Sequence, residues 1–327
     1  MDKPKVIIRV DGNSTIGLGH IYRGIALAEM LRDTFSIIFV TKKDSIQTPI
    51  HEAGFEVTLL ADTLSFEDEP IWFHKNYTRR NIIVLDGYDF EENYQQQIKK
   101  FGFRLIYIDD LVRGVQKADV VINHSPGIKT SDYKVEPYTK LALGLDFALV
   151  RRPFLNASCT QSLSSKQFKN VFVSFGGADS NDFSFKVVEQ LVKVKDITKI
   201  FVLLGAAYKH DQLISLKSEK VKLFKNSSEN VVFEIMCKSD FAIVPASTIS
   251  LELLFLNKPM LLGYFVLNQK NIYHGLIENK MAIPLGDFNK FDFSRLEFNL
   301  KSYISKIKKL MLYNNYNSKK NIQQLFE

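Results

Sequence analysis

Short, nearly uninterrupted apolar runs that alternate with helix-like segments constrain this chain more than any other feature. Val6–Val10, Ser36–Thr41, Phe55–Leu60, Asn81–Asp86, Arg104–Asp109 and Asp119–Asn123 read as strands. His20–Leu31, Ile46–Ala53 and Tyr94–Lys100 read as helices between them. Strands that are apolar on both faces and separated by helices indicate a parallel sheet covered on both sides. Around Leu145–Leu155 the alternation pauses. Arg151-Arg152-Pro153 does not continue a helix, and Ser158–Lys169 is polar and serine-rich, so a domain boundary is expected there.

The second half restarts the pattern. Strands are expected at Asn170–Phe175, Lys199–Leu204, Phe241–Val244 and Met260–Phe265. Helices are expected at Phe183–Val194, Val231–Lys238, Thr248–Leu256 and Gln269–Asn279, and a basic amphipathic helix at Leu300–Tyr313 with a frayed tail beyond it. A length of 327 residues also favours two domains over one. The expected fold class is α/β, with two Rossmann-like doubly wound domains facing a cleft, the GT-B architecture. The expected divisions are 1–152, 153–290 and a basic helical extension over 291–327. In such folds a ligand lies at the carboxyl ends of the strands.

One loop stands out. Asp11 to Gly19 leaves the first strand, carries Gly12, Gly17 and Gly19, and delivers His20 to the start of the first helix. Strand ends and helix N-terminal amides converge there, and a histidine can move a proton near neutral pH. Tyr22 stands where a dinucleotide fingerprint would need its third glycine, and no Walker loop is present. The loop therefore suggests a phosphate or sugar-phosphate site and argues against a nicotinamide or ATP site.

Composition narrows the field. A hydrophobic content of 46% suits a globular protein with full cores. No apolar run approaches the roughly 18 residues of a membrane span. The N-terminus runs straight into a strand without a signal peptide, so a cytoplasmic location is expected. Cys159 and Cys237 are expected to be reduced thiols. The six histidines show no metal-ligand spacing, and neither a metal nor a cofactor is expected. The net charge of +7 is compatible with an anionic substrate, with nucleic acid or with a membrane surface. The lysines near the C-terminus lack a basic-aromatic nucleic-acid motif and read as a solvated helix face, so neither a nucleic-acid partner nor membrane insertion is expected.

The run Arg9-x-Asp11, Ile16-Gly17-Leu18-Gly19-His20-Ile21-x-Arg23 and Leu27-Ala28 resembles the opening of the nucleotide-sugar hydrolases of pseudaminic acid biosynthesis. Further stretches agree in order: Leu85-Asp86-Gly87-Tyr88, Tyr107-Ile108-Asp109-Asp110, Asn123 with Ser131-Asp132-Tyr133, and Gly144 to Arg151. In the second half come Ser174 to Asp179, Ala246-Ser247-Thr248 with Glu252, and Asn268-Gln269. The resemblance runs from about residue 5 to about residue 285. It implies hydrolysis of UDP-2,4-diacetamido-2,4,6-trideoxy-β-L-altropyranose to the free sugar and UDP, with inversion and without a metal. It makes His20 the catalytic group, places Tyr88 beside it, and puts Asn268 and Gln269 near the sugar and phosphate. The chain departs from the family pattern at Ser125, where a second asparagine is common, and at Pro245-Ala246, before the second phosphate loop.

Each residue has an alternative role. His20 is a proton acceptor, a helix cap or a core-packed residue. Asp11 binds sugar or caps the glycine loop. Arg23 pairs with the diphosphate or makes a salt bridge to Asp11 or Asp109. Asp109 and Asp110 are adjacent on a strand and so point apart, which argues against a shared dyad. Gly176 and Gly177 admit a phosphate or form a plain turn. Ser247 and Thr248 cap their helix and also present hydroxyls and amides to phosphate. Glu252 holds the ribose hydroxyls or is a solvated helix residue. The competing functions are a GT-B glycosyltransferase similar to the one that adds N-acetylglucosamine to the lipid-linked peptidoglycan precursor, and a non-catalytic sugar-nucleotide binder.

Overall fold

The computed structural model describes residues 5–13, 15–155, 168–308, 310 and 316–327. The chain divides into two compact units: unit 1 is 1–152 with 317–327, and unit 2 is 153–316. Cys159 and most of the serine-rich segment lie outside the described residues.

Unit 1 contains β1 (Lys5–Val10), α1 (Gly19–Leu31), β2 (Ser36–Thr41), α2 (Thr48–Glu52), β3 (Glu56–Leu59), α3 (Glu69–Asn76), β4 (Ile82–Asp86), α4 (Glu92–Lys100) and β5 (Arg104–Ile108). The short β6 (Val115–Gln116) pairs with β8 (Lys134–Val135), and β7 (Val120–Asn123) and β9 (Lys140–Leu143) complete the sheet. The strand order is β3-β2-β1-β4-β5-β7-β9, and every pair is parallel. The order turns back between β1 and β4, so their carboxyl ends part to leave a crevice. In register, Val10 stands opposite Asp86 there.

Unit 2 repeats the plan after the short α5 (Arg152–Leu155), where Pro153 is tolerated because it falls in the first turn. It comprises β10 (Asn170–Ser174), α6 (Phe183–Leu191), β11 (Lys199–Leu204), α7 (Gln212–Ser215), β12 (Val221–Lys225), α8 (Glu229–Lys238) and β13 (Phe241–Pro245). These are followed by α9 (Thr248–Phe255), β14 (Met260–Tyr264), α10 (Lys270–Glu278), β15 (Ile283–Asp287) and α11 (Leu296–Ile307). Its parallel sheet runs β12-β11-β10-β13-β14-β15, with the switch between β10 and β13.

Of the strands that the apolar pattern missed, β9, β12 and β15 lie at the edges of the two large sheets, and the short β6 and β8 pair only with each other. An edge strand has one open side and needs no continuous apolar run. Thus β12 exposes Lys222, Leu223 and Lys225, and β15 tolerates Pro284 and Gly286.

The C-terminal tail is not frayed. α12 (Ser318–Gln324) docks on unit 1, with Ile322, Leu325 and Phe326 buried. Arg104 donates to the carbonyls of Leu325 and Phe326, Gln323 donates to Met30 O, and Ser318 donates to Leu145 O. The expected single extension over 291–327 is thus divided, with α11 packing on α6 in unit 2 and α12 folding with unit 1. Cys237 is disulfide-bonded, which corrects the expectation of reduced thiols.

Candidate active site

At the crevice of unit 1, the loop after β1 is shaped by its own polar groups. Asn13 Oδ1 accepts from the amides of Thr15 and Ile16, and Gly17 N donates to Asn13 O at 2.8 Å. Gly17 has φ +87°, a left-handed conformation that favours glycine. The loop delivers the chain to Gly19 and His20 at the first turn of α1. That turn has no side-chain cap and no acidic residue, so its amides carry the positive end of the helix dipole unopposed.

His20 is buried, with Nδ1 2.7 Å from Oδ1 of Asp86, the last residue of β4. A neutral imidazole facing a carboxylate through Nδ1 carries its proton there, which leaves Nε2 as the acceptor. Tyr88 packs edge-on against the ring, with centroids 4.7 Å apart. Arg23, one turn along α1, forks onto Asp86 through Nε and Nη2, with Nε 2.9 Å from Oδ2. Its Nη1 reaches Asp110, just after β5. Burial alone would raise the Asp86 carboxyl, but the Arg23 charge and His20 outweigh it and hold the group below the ordinary carboxylate range.

This geometry corrects the reading of Arg23. Its guanidinium is buried and engaged by Asp86 and Asp110, not by Asp11 or Asp109. Asp109 and Asp110 do part company, but both follow β5 instead of lying on it. Asp109 accepts from Tyr133 OH at 2.7 Å and from the amides of Leu111 and Val112.

Asp11 caps a different loop from the one expected. Its Oδ1 accepts from Lys42 N at 2.8 Å and Ser45 Oγ at 2.9 Å, while Oδ2 lies 2.7 Å from Arg9 Nη1 as an ion pair. Arg9 is wholly buried and makes a two-pronged pair with Glu69, which Tyr94 OH also contacts. Asp11 thus fixes the loop after β2 beside Gly12 with one oxygen and pairs with Arg9 through the other.

Sequence reasoning gave no role to Asp86, Asp110 or His124. The signal for Asp86 was present, because an acidic residue ending an all-apolar strand beside the first loop must meet what that loop carries. His124, just after β7, is buried, and its Nδ1 has no hydrogen-bond partner. Burial, with the Arg23 charge added to it, holds His124 down to about 4, so it is neutral.

Unit 2 assembles its crevice from backbone. Gly176 has φ +86°, and Gly177 lies so close to Gly205 that a Cβ on Gly205 would sit 2.3 Å from Gly177 backbone atoms. The N-terminus of α6 is occupied by the chain itself, since Asp179 accepts from the amides of Phe183 and Ser184. The α9 terminus differs. Ser247 N donates to Ser250 Oγ, Ser250 Oγ donates to Ser247 O, and Ser247 and Thr248 are half-buried. Glu252 is 1% exposed, which excludes the solvated alternative. Gln269 Oε1 accepts from Phe265 N, and Asn268 is half-buried in the same turn. Among the described residues no group of three His, Cys, Asp or Glu is placed to hold a metal ion, and no helix is long and apolar enough to cross a membrane.

No protein-family model matches the chain. The chain is a distant relative of the UDP-2,4-diacetamido-2,4,6-trideoxy-β-L-altropyranose hydrolase of Campylobacter jejuni, 25% identical over 273 residues that cover 82% of this chain and 94% of that one. It is 26% identical over 285 residues to the spore coat polysaccharide biosynthesis protein SpsG of Bacillus subtilis, covering 85% and 83%. An uncharacterized protein of Methanocaldococcus jannaschii is 29% identical over 275 residues, 80% of this chain but 55% of that protein, so the chain spans about half its length. Among solved structures, Acinetobacter baumannii MurG superposes with a TM-score of 0.66 at 9% identity, covering 99% of both chains. Arabidopsis thaliana UGT89C1 complexed with UDP gives 0.64 at 11%, also covering 99% of both. The fold is that of the GT-B glycosyltransferases, with two Rossmann-like domains.

Proposed function

We propose that this protein hydrolyses a UDP-linked 2,4-diacetamido-2,4,6-trideoxy sugar to the free sugar and UDP, in the cytoplasm, within nonulosonic acid biosynthesis. The observation that carries the reading is the His20–Asp86 pair at the switch point of unit 1. With Nδ1 committed to Asp86, Nε2 takes a proton from water as the water oxygen bonds to the anomeric carbon. The bond from that carbon to the diphosphate oxygen breaks, its electron pair leaves with UDP, and the anomeric centre inverts. UDP is stable as it departs, so a base matters more than an acid. Tyr88 limits the orientation of the ring.

In unit 2, Gly176, Gly177, Ser247, Thr248 and the amides of α9 receive the diphosphate. Glu252 takes the ribose hydroxyls, and Asn268 and Gln269 contact sugar and phosphate. The loop at Gly17 and Gly19 approaches the sugar through its backbone. Asp11 and Arg23 act by positioning. The name of the Campylobacter jejuni relative supports this substrate class.

A second reading, transfer of the sugar to an acceptor, is favoured by the glycosyltransferase neighbours. UDP release from the named sugar nucleotide without acceptor separates the two. Release by the wild type that falls at least about 10²-fold in His20→Ala is the expected result. Release only when an acceptor is added would favour transfer, and binding without turnover would leave a sugar-nucleotide binder.

A further inference from the structure

The polar cluster around His20 holds more charge than orientation requires. Asp86 alone fixes Nδ1 of the imidazole, yet two carboxylates, Asp86 and Asp110, face the single guanidinium of Arg23. Among the described residues of unit 1, the titratable and charged groups around His20 include Arg23 on its own helix, Asp86 and Tyr88 at the end of β4, and, around Arg23, Tyr107 on β5, Asp110 after it and the neutral His124 after β7. Both carboxylates thus bear on the guanidinium that stands beside His20.

Arg23 Nη2 lies 3.2 Å from His20 Nδ1. With Nδ1 donating to Asp86, the two donors cannot bond to each other, so this approach is a repulsion that the carboxylates must offset. Asp110 draws on the far nitrogen of the same guanidinium and shares its charge. It is held there by a strained turn. Val112 has φ +55°, unusual for a β-branched residue, and Asp109 sustains that turn by accepting from the amides of Leu111 and Val112.

We infer that Asp110 is a positioning residue that acts through Arg23: by taking part of the guanidinium charge, it lets His20 accept a proton beside a buried arginine. The inference deepens the reading of His20 as a base and rests on it for its catalytic consequence. Without Asp110, the whole Arg23 charge would fall on Asp86 and His20, and the imidazolium formed during the reaction would be opposed.

The test uses the full chain with 15N-labelled histidine and no substrate, following the imidazolium fraction of His20 against pH by NMR, with its resonance assigned from His20→Gln. In Asp110→Asn that curve is expected to move about half a pH unit toward acid. Asp110→Glu, which keeps the charge, restores it. Because the effect passes through Arg23, Asp110→Asn changes little in an Arg23→Gln background. Should Arg23→Gln fail to fold, Arg23→Ala/Asp86→Ala, which removes the buried pair together, serves as the background. An unchanged curve in Asp110→Asn, or an undiminished shift without Arg23, overturns the inference. In turnover, Asp110→Asn lowers kcat by up to about threefold with KM little changed. A fall in imidazolium with kcat unaltered would keep the electrostatic role of Asp110 and discard His20 as the base.

Discussion

At the switch point of unit 1, between β1 and β4, the loops present His20, Asp86, Arg23 and Asp110. At the matching point of unit 2, between β10 and β13, they present Gly176, Gly177, Ser247 and the start of α9. The two sheets share one topology, so the same place in the fold holds a titrating cluster in one case and hydroxyls and bare backbone in the other. Even the helix ends differ. The α6 terminus is filled by Asp179, whereas α1 has neither cap nor acidic residue. Topology decides where ligands bind, and the side chains decide whether the place does chemistry or holds a ligand.

If the two crevices are divided in this way, kcat should respond to unit 1 and binding to unit 2. The largest effect expected is from Asp86→Asn, which can hold His20 in the wrong tautomer and should lower kcat about 10³-fold, with KM moving much less. A loss carried mainly by KM would mean that unit 1 binds and does not catalyse.

Next comes a difference in acid stability. His124 is held down to about 4 against an ordinary value of 6.5, so the unfolded chain takes up its proton first as the pH falls. Stability tied to His124 is therefore whole above about pH 6.5, is lost progressively down to about pH 4, and amounts to about 3 kcal/mol at most. Hydrogen exchange should show this loss in unit 1. His124→Leu should flatten it there and leave unit 2 unchanged; equal slopes for variant and wild type would remove His124 from the account.

The smallest effect is expected from Gly205→Ala. The new methyl meets Gly177 backbone and must displace the Gly176-Gly177 loop. UDP binding, measured by calorimetry, should weaken about tenfold (about 1.4 kcal/mol) while kcat at saturation holds. Unchanged UDP affinity would take that loop out of the binding site.

The same division governs what could be read from the residues. Apolar runs such as Ile82–Asp86 and Asn170–Ser174 announce buried strands because a central parallel strand is covered on both faces. The edge strands lacked that signal. His20 drew attention because a glycine loop and a helix start surround it. The full set of contacts was harder to read, since Asp86 and Asp110 lie 66 and 87 residues from the helix positions that they engage, His20 and Arg23. The salt-bridge partners of Arg23 and the loop that Asp11 caps were misjudged for that reason. A charged residue near a loop has many possible partners, and burial selects among them only once the chain has folded.

The order of apolar and helical segments was enough by itself to determine two doubly wound units and the loops that end at their crevices, because burial of period and pattern is local. The pairing of Arg23 with two carboxylates, the contacts that Asp11 makes with Arg9, Lys42 and Ser45, and the docking of α12 were decided by the tertiary structure. Most of these contacts bring groups far apart in the chain within hydrogen-bonding distance, and only the completed packing sets those distances.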